Sequence, residues 1–393
     1  MTRRRPTRVT RLLPIVLPGL LLATLAVAWL VQRSLPERSG ATPLDTTALL
    51  DSAPEAFLRV TGPRPLEFPA DHAAHPGYRS EWWYFTGNLE AGDGRRFGFQ
   101  FTLFRFGLGG DPAADADPIE SVFAADAVWM AHLAVSDLEQ QRFLSRERFA
   151  RGALGLAGAT ADRWWLRDWT VDRTESGWRL RAGAGDFSLD LALDPARPVV
   201  LQGDAGYSRK GPAAGNASRY YSYTRMRSAG TLGLDGMAFE VEGTAWLDRE
   251  WGSSQLGPGI QGWDWFALQL DDGRDLMVYR LRTEQGTASR FSAGTLVDAD
   301  GRARTLGPDA FDLRPTRRWR DPDGVAWPVA WSLDLPSQGL SLEVRPAFDA
   351  QLWRSSVRYW EGAVEVLADG EPVGRGYLEL SGYSGTERTL PAR

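Results

Sequence analysis

Apolar and polar residues alternate along most of the chain after residue 64. Gly, Asp-Gly and Pro turns break the alternating runs into short segments. A period of two is typical of strands with one buried face. The clearest apolar rows are Phe97, Phe99, Phe101 and Leu103, then Phe187, Leu189, Leu191 and Leu193, and then Leu276 and Val278 with the stem of Arg280. The pattern predicts an all-β body, with only short turns of helix near Thr46–Leu50 and Ser145–Arg151.

One aromatic strand pattern occurs twice, at a constant offset of 181 residues. Trp82, Tyr84, Phe85 and Leu89 match Trp263, Trp265, Phe266 and Leu270, and the turns Asp93-Gly94 and Asp272-Gly273 follow. The segment 132–137 also resembles 294–298. We interpret this repetition as two copies of one β unit.

Two similar β units predict two tandem lipocalin-like antiparallel β-barrels, because closure removes exposed sheet edges. We place the first barrel at residues 65–252 and the second at 253–388, with the join near Glu250–Gly259. Residues 34–64 are rich in Pro, Ser, Thr and Ala and are predicted to be a linker. A barrel of about eight strands can hold one apolar ligand at its mouth.

The N-terminal residues 1–33 have the pattern of a targeting segment. Five arginines between Arg3 and Arg11 precede the uncharged stretch Leu12–Val31, which is about long enough to cross a bilayer. Two interpretations remain open, an uncleaved anchor and a signal peptide cleaved near Ala26-Val27-Ala28. Both predict an exported body, either on the periplasmic side of the inner membrane or free in the periplasm.

Composition excludes several kinds of function. The chain has no cysteine, so disulfides, thiolate metal sites and Cys nucleophiles are excluded, and its only histidines are His72, His75 and His132. Without residues 1–38 the net charge is about −11, and no basic patch alternates with aromatics, which argues against nucleic-acid binding. The sequence also lacks a Gly-x-Ser-x-Gly elbow and a P-loop, so neither a serine hydrolase nor a P-loop nucleotide site is predicted.

Three clusters combine carboxylates or histidines with aromatic side chains. They are Asp71–Pro76 followed by Glu81-Trp82-Trp83-Tyr84, then Trp246–Gly252, and then Gly262-Trp263-Asp264-Trp265. The second and third clusters are about a dozen residues apart, close enough to line one cleft.

In these clusters the chain resembles the carotenoid 1,2-hydratase (hydroxyneurosporene synthase) and AttH-like lipocalin family, in its AttH-like branch. The motifs that carry the resemblance are His72-x-x-His75-Pro76, Glu81-Trp82-Trp83-Tyr84-x-x-Gly87-Asn88-Leu89, Ala131-His132, Asp248-Arg249-Glu250-Trp251, Gly262-Trp263-Asp264-Trp265, Tyr359-Trp360-Glu361-Gly362 and Gly376-Tyr377-x-Glu379-Leu380-x-Gly382-Tyr383. They cover roughly residues 64–384. In the carotenoid-active branch the second cluster has an Asp-His-x-Trp pattern, and Arg249 stands at the histidine position. The resemblance implies no metal or other cofactor.

Hydration of an isolated alkene needs a proton donor, a stabilised cation and a positioned water. A carboxylic acid buried among aromatics can donate a proton because desolvation raises its pKa, and indole faces stabilise a cation. We predict Asp264, Asp248 and Glu250 as catalytic residues. The predicted ligand-binding residues are His75, Glu81, Trp82, Tyr84, His132, Trp251, Trp263 and Trp265. If Asp264 lies on a strand, it points away from Trp263 and Trp265, and Trp251 or Trp82 would have to supply the aromatic cage.

Purely structural roles compete with these assignments. The segment Asp248-Arg249-Glu250 could be an ion-pair network between the barrels. His72 and His75 with Glu81 form a weak metal pattern, and His132 could face a lumen or the core.

We therefore expect a protein that binds a lipophilic, polyene- or lipid-like molecule between the barrels, either as a cofactor-free hydratase or as a carrier. As a carrier it could serve an ABC export transporter.

Overall fold

In the computed structural model the described residues are 57–108, 126–253 and 256–383. Almost all regular structure in them is β-strand, and the exceptions are three short 3₁₀ turns, Ala70–His72, Pro308–Ala310 and Pro336–Gln338. None of the described helical segments is long and apolar enough to span a bilayer. The predicted membrane or signal segment and the predicted helix near Thr46–Leu50 lie outside the described residues. Phe57 and Val60, within the predicted linker, are buried.

The first antiparallel sheet contains thirteen strands. They are β1 Ser80–Ala91, β2 Arg96–Gly107, β3 Ala127–Asp137, β4 Arg142–Arg151, β5 Ala157–Ala159, β6 Arg163–Leu166, β7 Trp169–Arg173, β8 Trp178–Ala184, β9 Phe187–Pro195, β10 Val200–Leu201, β11 Tyr207–Arg209, β12 Ala217–Leu234 and β13 Met237–Gly252. The order is β4-β3-β2-β1-β13-β12-β9-β8-β7-β6-β5, with β10 and β11 beside β12. Strand β6 also contacts β2, β3 and β4, so the sheet curls into a nearly closed barrel.

The second antiparallel sheet contains ten strands. They are β14 Ile260–Leu270, β15 Asp275–Thr283, β16 Ala293–Val297, β17 Ala303–Leu306, β18 Asp312–Arg320, β19 Ala326–Leu335, β20 Leu340–Pro346, β21 Leu352–Arg354, β22 Arg358–Ala368 and β23 Glu371–Ser381. The order is β17-β16-β15-β14-β23-β22-β20-β19-β18, with β21 beside β22, and this sheet forms a half-barrel. The prediction of an all-β protein with two lipocalin-like barrels is thereby confirmed.

The strand order of the two sheets explains the sequence repeat. Each sheet begins with a four-strand meander, β1–β4 or β14–β17, and its last strand, β13 or β23, pairs with the first. Trp82 lies in β1 and Trp263 in β14, so the repeated motif occupies corresponding strands. The hairpins that follow turn at Gly94 and Gly273, whose φ angles of +85° and +90° suit glycine. The chain passes from one sheet to the other between Gly252 and Ile260.

Both faces of the central strands are buried, and this positions the site. In β1, Trp83, Phe85 and Leu89 point into the core of the first barrel. In β14, Phe266, Leu268 and Leu270 point into the core of the half-barrel. The opposite faces meet in a third layer between the barrels, and its members include Tyr84, Tyr220, Trp246, Trp265, Tyr279 and Tyr377. A period of two therefore assigns each motif residue either to a barrel core or to the layer between them.

The helix predicted near Ser145–Arg151 is wrong. These residues belong to β4, which pairs with β3 from Val128↔Arg151 to Asp137↔Arg142. Their Arg and Glu residues have good helix propensity, but β4 lies at the edge of the sheet, where charged side chains are common. Pairing with β3 decided the local structure.

Candidate functional site

The layer between the barrels encloses a cavity of about 1020 Å³, counted out to its mouth. The wall is mainly aromatic and aliphatic. It consists of Trp82, Tyr84, Thr102, Phe104, Phe106, Met130, His132, Lys210, Tyr220, Asp248, Glu250, Leu256, Trp263, Trp265, Tyr279, Leu281, Val357, Tyr359, Glu361 and Glu379. The few polar groups in this apolar wall are concentrated on facing strands of the two barrels.

Asp248 lies on the cavity face of β13 and is held by neutral donors. It accepts hydrogen bonds from the Tyr220 hydroxyl, the Ser222 hydroxyl at 2.5 Å and Trp246 Nε1 at 2.6 Å. Burial raises the pKa of Asp248 to about 6, although these hydrogen bonds and the charge of Lys210 oppose the shift. A carboxyl group of this kind exchanges protons near neutral pH.

Glu250 lies two residues further along the same face of β13 and contacts a buried amine. Its carboxylate contacts Lys210 Nζ and accepts a hydrogen bond from the Ser218 hydroxyl. Burial lowers the pKa of Lys210 to about 7, and the negative charge of Asp248 opposes the shift. The first barrel thus contributes two carboxyl groups and one amine to the cavity.

The half-barrel contributes a second pair of carboxyl groups. Glu361 in β22 and Glu379 in β23 stand directly opposite each other across the ladder. Burial and the charge of Glu379 raise the pKa of Glu361 well above its ordinary value. Burial also raises the pKa of Glu379 to about 7. The hydrogen bond that Trp263 Nε1 donates to it at 2.8 Å opposes this shift. Two adjacent carboxyl groups in an apolar wall favour a state in which one retains its proton.

Tyr84 and Tyr359 fix the Glu361 side chain. The Tyr84 hydroxyl donates to Glu361 across the layer between the barrels, and Tyr359 also hydrogen-bonds Glu361. The Tyr359 hydroxyl lies 2.6 Å from His132 Nδ1, and His132 Nε2 lies 3.0 Å from Glu147 Oε1. Burial lowers the pKa of His132, and the hydrogen bond and charge of Glu147 oppose the shift. His132 therefore faces the cavity layer, which settles the alternative left open by the sequence.

The structure separates Asp264 from the cavity. Asp264 shares the inner face of β14 with Phe266 and Leu268, whereas Trp263 and Trp265 line the cavity. Its carboxylate accepts from Arg280 Nε at 2.8 Å, Arg282 Nη1 at 3.1 Å and the Tyr383 hydroxyl at 2.7 Å. Strand alternation directs Asp264 into the half-barrel, where two guanidinium groups pair with it, and not into the cavity, where the predicted proton donor would have to lie.

His75, Glu81 and Trp251 also lie away from the cavity. Glu81 accepts from Arg249 Nη2 at 2.6 Å and Arg105 Nη1 at 3.2 Å, inside the first barrel. The His75 ring stacks on Trp251 with centroids 4.0 Å apart. Glu81 and Trp251 occupy the opposite strand faces from Trp82, Tyr84 and Asp248, and His75 packs on Trp251 from the loop before β1.

The cavity therefore contains only some of the predicted residues. Asp248, Glu250, Trp82, Tyr84, His132, Trp263 and Trp265 are in its wall. Sequence reasoning missed Glu361, Glu379, Lys210, Tyr220 and Tyr359. A signal for Glu361 and Glu379 was present, because both belong to motifs that carry the family resemblance. In the parts of the chain that the structure describes, no cluster of three or more His, Asp or Glu residues could hold a metal ion.

The family is shown by comparison with known proteins. A family model described as AttH-like matches residues 59–383, so the chain belongs to the AttH-like family. A search of curated proteins finds no match.

Solved structures agree with this fold. An AttH protein from Nitrosomonas europaea is 38% identical, with a TM-score of 0.74, and the match covers 83% of this chain and 100% of that one. Kievitone hydratase from Nectria haematococca is 15% identical, with a TM-score of 0.60, and the match covers 85% and 98% of the two chains. CghA is 16% identical, with a TM-score of 0.50 and coverage of 86% and 98%. At identities this low, the last two show likeness of fold alone.

Proposed function

We propose that the cavity between the barrels binds a lipophilic alkene and that the protein adds water to it without a cofactor. The observation that supports this most is the presence of Glu361 in an aromatic wall, with a pKa raised well above its ordinary value. A carboxyl group that keeps its proton at neutral pH can act as a general acid. The name of one structural neighbour, kievitone hydratase, is consistent with this reaction class.

The proposed reaction begins with proton transfer from Glu361 to an alkene carbon. The alkene π electrons form the new C–H bond and leave a cation on the neighbouring carbon. The faces of Trp82, Trp263 and Trp265 are available around the cavity to stabilise that cation. Water then attacks the cation and gives its extra proton to a carboxylate. Asp248 suits this last role because its pKa of about 6 leaves it largely ionised at neutral pH.

The test uses full-length protein in detergent. Apolar molecules that co-purify with it are identified by mass spectrometry, and candidate alkenes are then incubated with the protein in water enriched in heavy oxygen. We expect a product that carries the heavy oxygen. Glu361→Gln keeps the side-chain shape but removes the acidic proton, and it should lower turnover by roughly 10²- to 10⁴-fold.

Glu365→Gln is the matched control. Glu365 lies in the same strand as Glu361 but is part of a partly exposed ion pair with Arg96 at 2.8 Å. This variant should retain full turnover. Equal turnover by Glu361→Gln and Glu365→Gln would reject Glu361 as the acid.

The second candidate is a non-catalytic carrier. It is favoured by the fact that Tyr, Trp, Ser or Lys side chains already contact each of the four cavity carboxyl groups. A carrier would retain its ligand in both glutamine variants and would incorporate no heavy oxygen. Service to an ABC export transporter belongs to this second proposal.

Export and membrane anchoring are further proposals, based on the arginine flank Arg3–Arg11 and the uncharged stretch Leu12–Val31. Protease added to spheroplasts should digest the body of an exported, anchored protein. A soluble form that begins near Trp29 would indicate a cleaved signal peptide instead.

A further inference from the structure

Lys210 is the only lysine among 393 residues, and its amine lies in the cavity wall. All the other Lys or Arg positions in the chain are arginine. Both residue types form ion pairs, but only an unprotonated amine readily condenses with a carbonyl group. The chain thus has a single side-chain amine, and it faces the ligand cavity.

The surroundings of Lys210 place its amine between polar and aromatic groups. Lys210 is 7% exposed. Its Nζ donates to the Ser218 hydroxyl at 3.2 Å and contacts the Glu250 carboxylate. On the apolar side, Nζ lies 5.3 Å from the ring centre of Tyr220 and 5.7 Å from that of Tyr279. A carboxylate and two ring faces would also stabilise a positive charge on a nitrogen bonded to a ligand.

A lysine nucleophile must be unprotonated for part of the time. Burial lowers the pKa of Lys210 to about 7. The adjacent Glu250 carboxylate favours the ammonium form and can also accept the proton that the amine must lose. The usual lysine pKa of about 10.4 would leave less than about 0.1% of the amine neutral at neutral pH. Desolvation of this kind is one established way to activate a lysine.

We propose that Lys210 forms an imine with a lipophilic aldehyde or ketone held in the cavity between the barrels. The mainly apolar wall would hold the hydrocarbon part and limit the access of water to the imine. This inference does not depend on the hydration reaction proposed above, because it uses a different group and a different bond.

Lys210 and Glu250, which are already in contact, can supply the proton transfers that imine formation needs. Glu250 first takes one proton from the Lys210 ammonium group. The freed Nζ lone pair attacks the carbonyl carbon, the C=O π bond breaks, and Glu250 returns that proton to the carbonyl oxygen. Glu250 takes a proton from the nitrogen and returns it to the hydroxyl group, which leaves as water. The nitrogen lone pair then completes the C=N bond. A protonated imine would pair with the Glu250 carboxylate, as the ammonium group does now.

The experiment incubates the full-length protein in detergent at neutral pH with all-trans-retinal, an apolar conjugated aldehyde, and sodium cyanoborohydride. The reagent reduces an imine to a stable amine, which mass spectrometry detects and peptide mapping assigns. The comparison protein is the Arg302→Lys variant, which adds one lysine at a position whose side chain is 82% exposed. We expect Lys210 to be labelled at least about tenfold faster than the added lysine, as its lower pKa favours the neutral amine.

Two variants distinguish an imine at Lys210 from labelling elsewhere in the chain. Lys210→Arg can keep the contact with Glu250 but should lose the adduct in its peptide, while labelling of the N-terminal amine continues. Glu250→Gln should form the adduct more slowly because it cannot transfer protons, and without the counter-ion its unreduced imine should absorb at shorter wavelength. If Lys210 stays unlabelled while the added exposed lysine is labelled, Lys210 is a structural ion-pair residue and the proposal is wrong. Loss of hydration activity in Glu361→Gln has no bearing on this result.

Discussion

Two groups of buried carboxyl groups in this protein have different kinds of partners. Glu81 and Asp264 point into the barrels, and each is held by two arginines, Arg249 and Arg105 for Glu81 and Arg280 and Arg282 for Asp264. Asp248 and Glu361 point into the cavity and accept hydrogen bonds mainly from Tyr, Ser and Trp side chains. Guanidinium partners neutralise a buried carboxylate, whereas neutral donors only partly offset the free-energy cost of burying its charge.

This difference in partners predicts different chemistry. Burial raises the pKa of Glu81, but Arg249, His75 and Arg105 outweigh it and hold the value at about 2. Burial dominates for Asp248 and Glu361, whose pKa values are raised. Ion pairs inside the barrels are therefore suited to holding the strands, and the cavity carboxyl groups are suited to proton transfer. The following experiments test that division, beginning with the largest expected effect on stability.

Arg249→Met should give the largest loss of stability. It removes the closest cation from Glu81, and both side chains are fully buried. Breaking one partner of a buried ion pair costs about 3–5 kcal/mol, which urea unfolding of the full-length protein would measure. Arg302→Met is the control, because its pair with Asp300 is exposed and such pairs contribute about 0–1 kcal/mol. Equal losses in the two variants would contradict a stabilising role for the barrel interior pair.

Asp248→Asn should change the pH dependence of stability. The folded-state pKa of about 6 lies above the ordinary aspartate value of 3.8, so the folded protein binds more protons between these values. Wild-type stability should therefore fall as pH rises from about 4 to about 6, by up to roughly 3 kcal/mol from this group. The variant lacks this loss, so its stability relative to wild type should rise across the window. A constant difference in urea unfolding free energy would contradict the raised pKa.

Glu81→Gln should show the opposite pH dependence. The folded-state pKa of about 2 lies below the ordinary glutamate value of 4.5. The stabilisation from ionised Glu81 is present above about pH 4.5 and is lost as pH falls towards 2. Wild type should therefore be more stable than the variant near neutral pH, by roughly 3 kcal/mol, and the difference should shrink on acidification. If the difference in unfolding free energy grew on acidification, Glu81 and Asp248 would have the same kind of pH dependence, and the proposed division between them would be wrong.

Trp263→Phe should have the smallest effect of the four variants, and the effect is on ligand affinity. Trp263 lines the cavity and donates to Glu379 at 2.8 Å, so the variant loses apolar contact and one hydrogen bond. We expect an apolar ligand to bind more weakly by on the order of 1 kcal/mol, with less quenching of Trp fluorescence in a titration. The control is Trp165→Phe, because Trp165 lies in β6 outside the cavity and donates to Gly155 O at 2.9 Å. Equal quenching in both variants would place the ligand elsewhere.

Sequence reasoning was accurate where local pattern controls structure. The period of two in Phe97–Leu103 and the matched strands around Trp82 and Trp263 were sufficient to predict paired β units. The same period placed Asp264 opposite its tryptophan neighbours, yet Asp264 was still predicted as the acid because the aromatic motif outweighed the alternation. The helix predicted at Ser145–Arg151 failed because strand pairing overrode local propensity.

The remaining site residues depended on contacts between distant segments. Tyr84 and Glu361 are 277 residues apart and meet only because the outer faces of β1 and β22 share one layer. Lys210 and Glu250 meet because β11 and β13 both flank β12. A periodic pattern shows which residues share a face, but it does not show which face another sheet will cover. The sequence alone therefore determined the β architecture, the repeat and the alternation of faces. Tertiary packing decided which carboxyl groups are paired with arginine and which are left in an apolar cavity, since those partners come from remote strands and electrostatic effects depend on distance and burial.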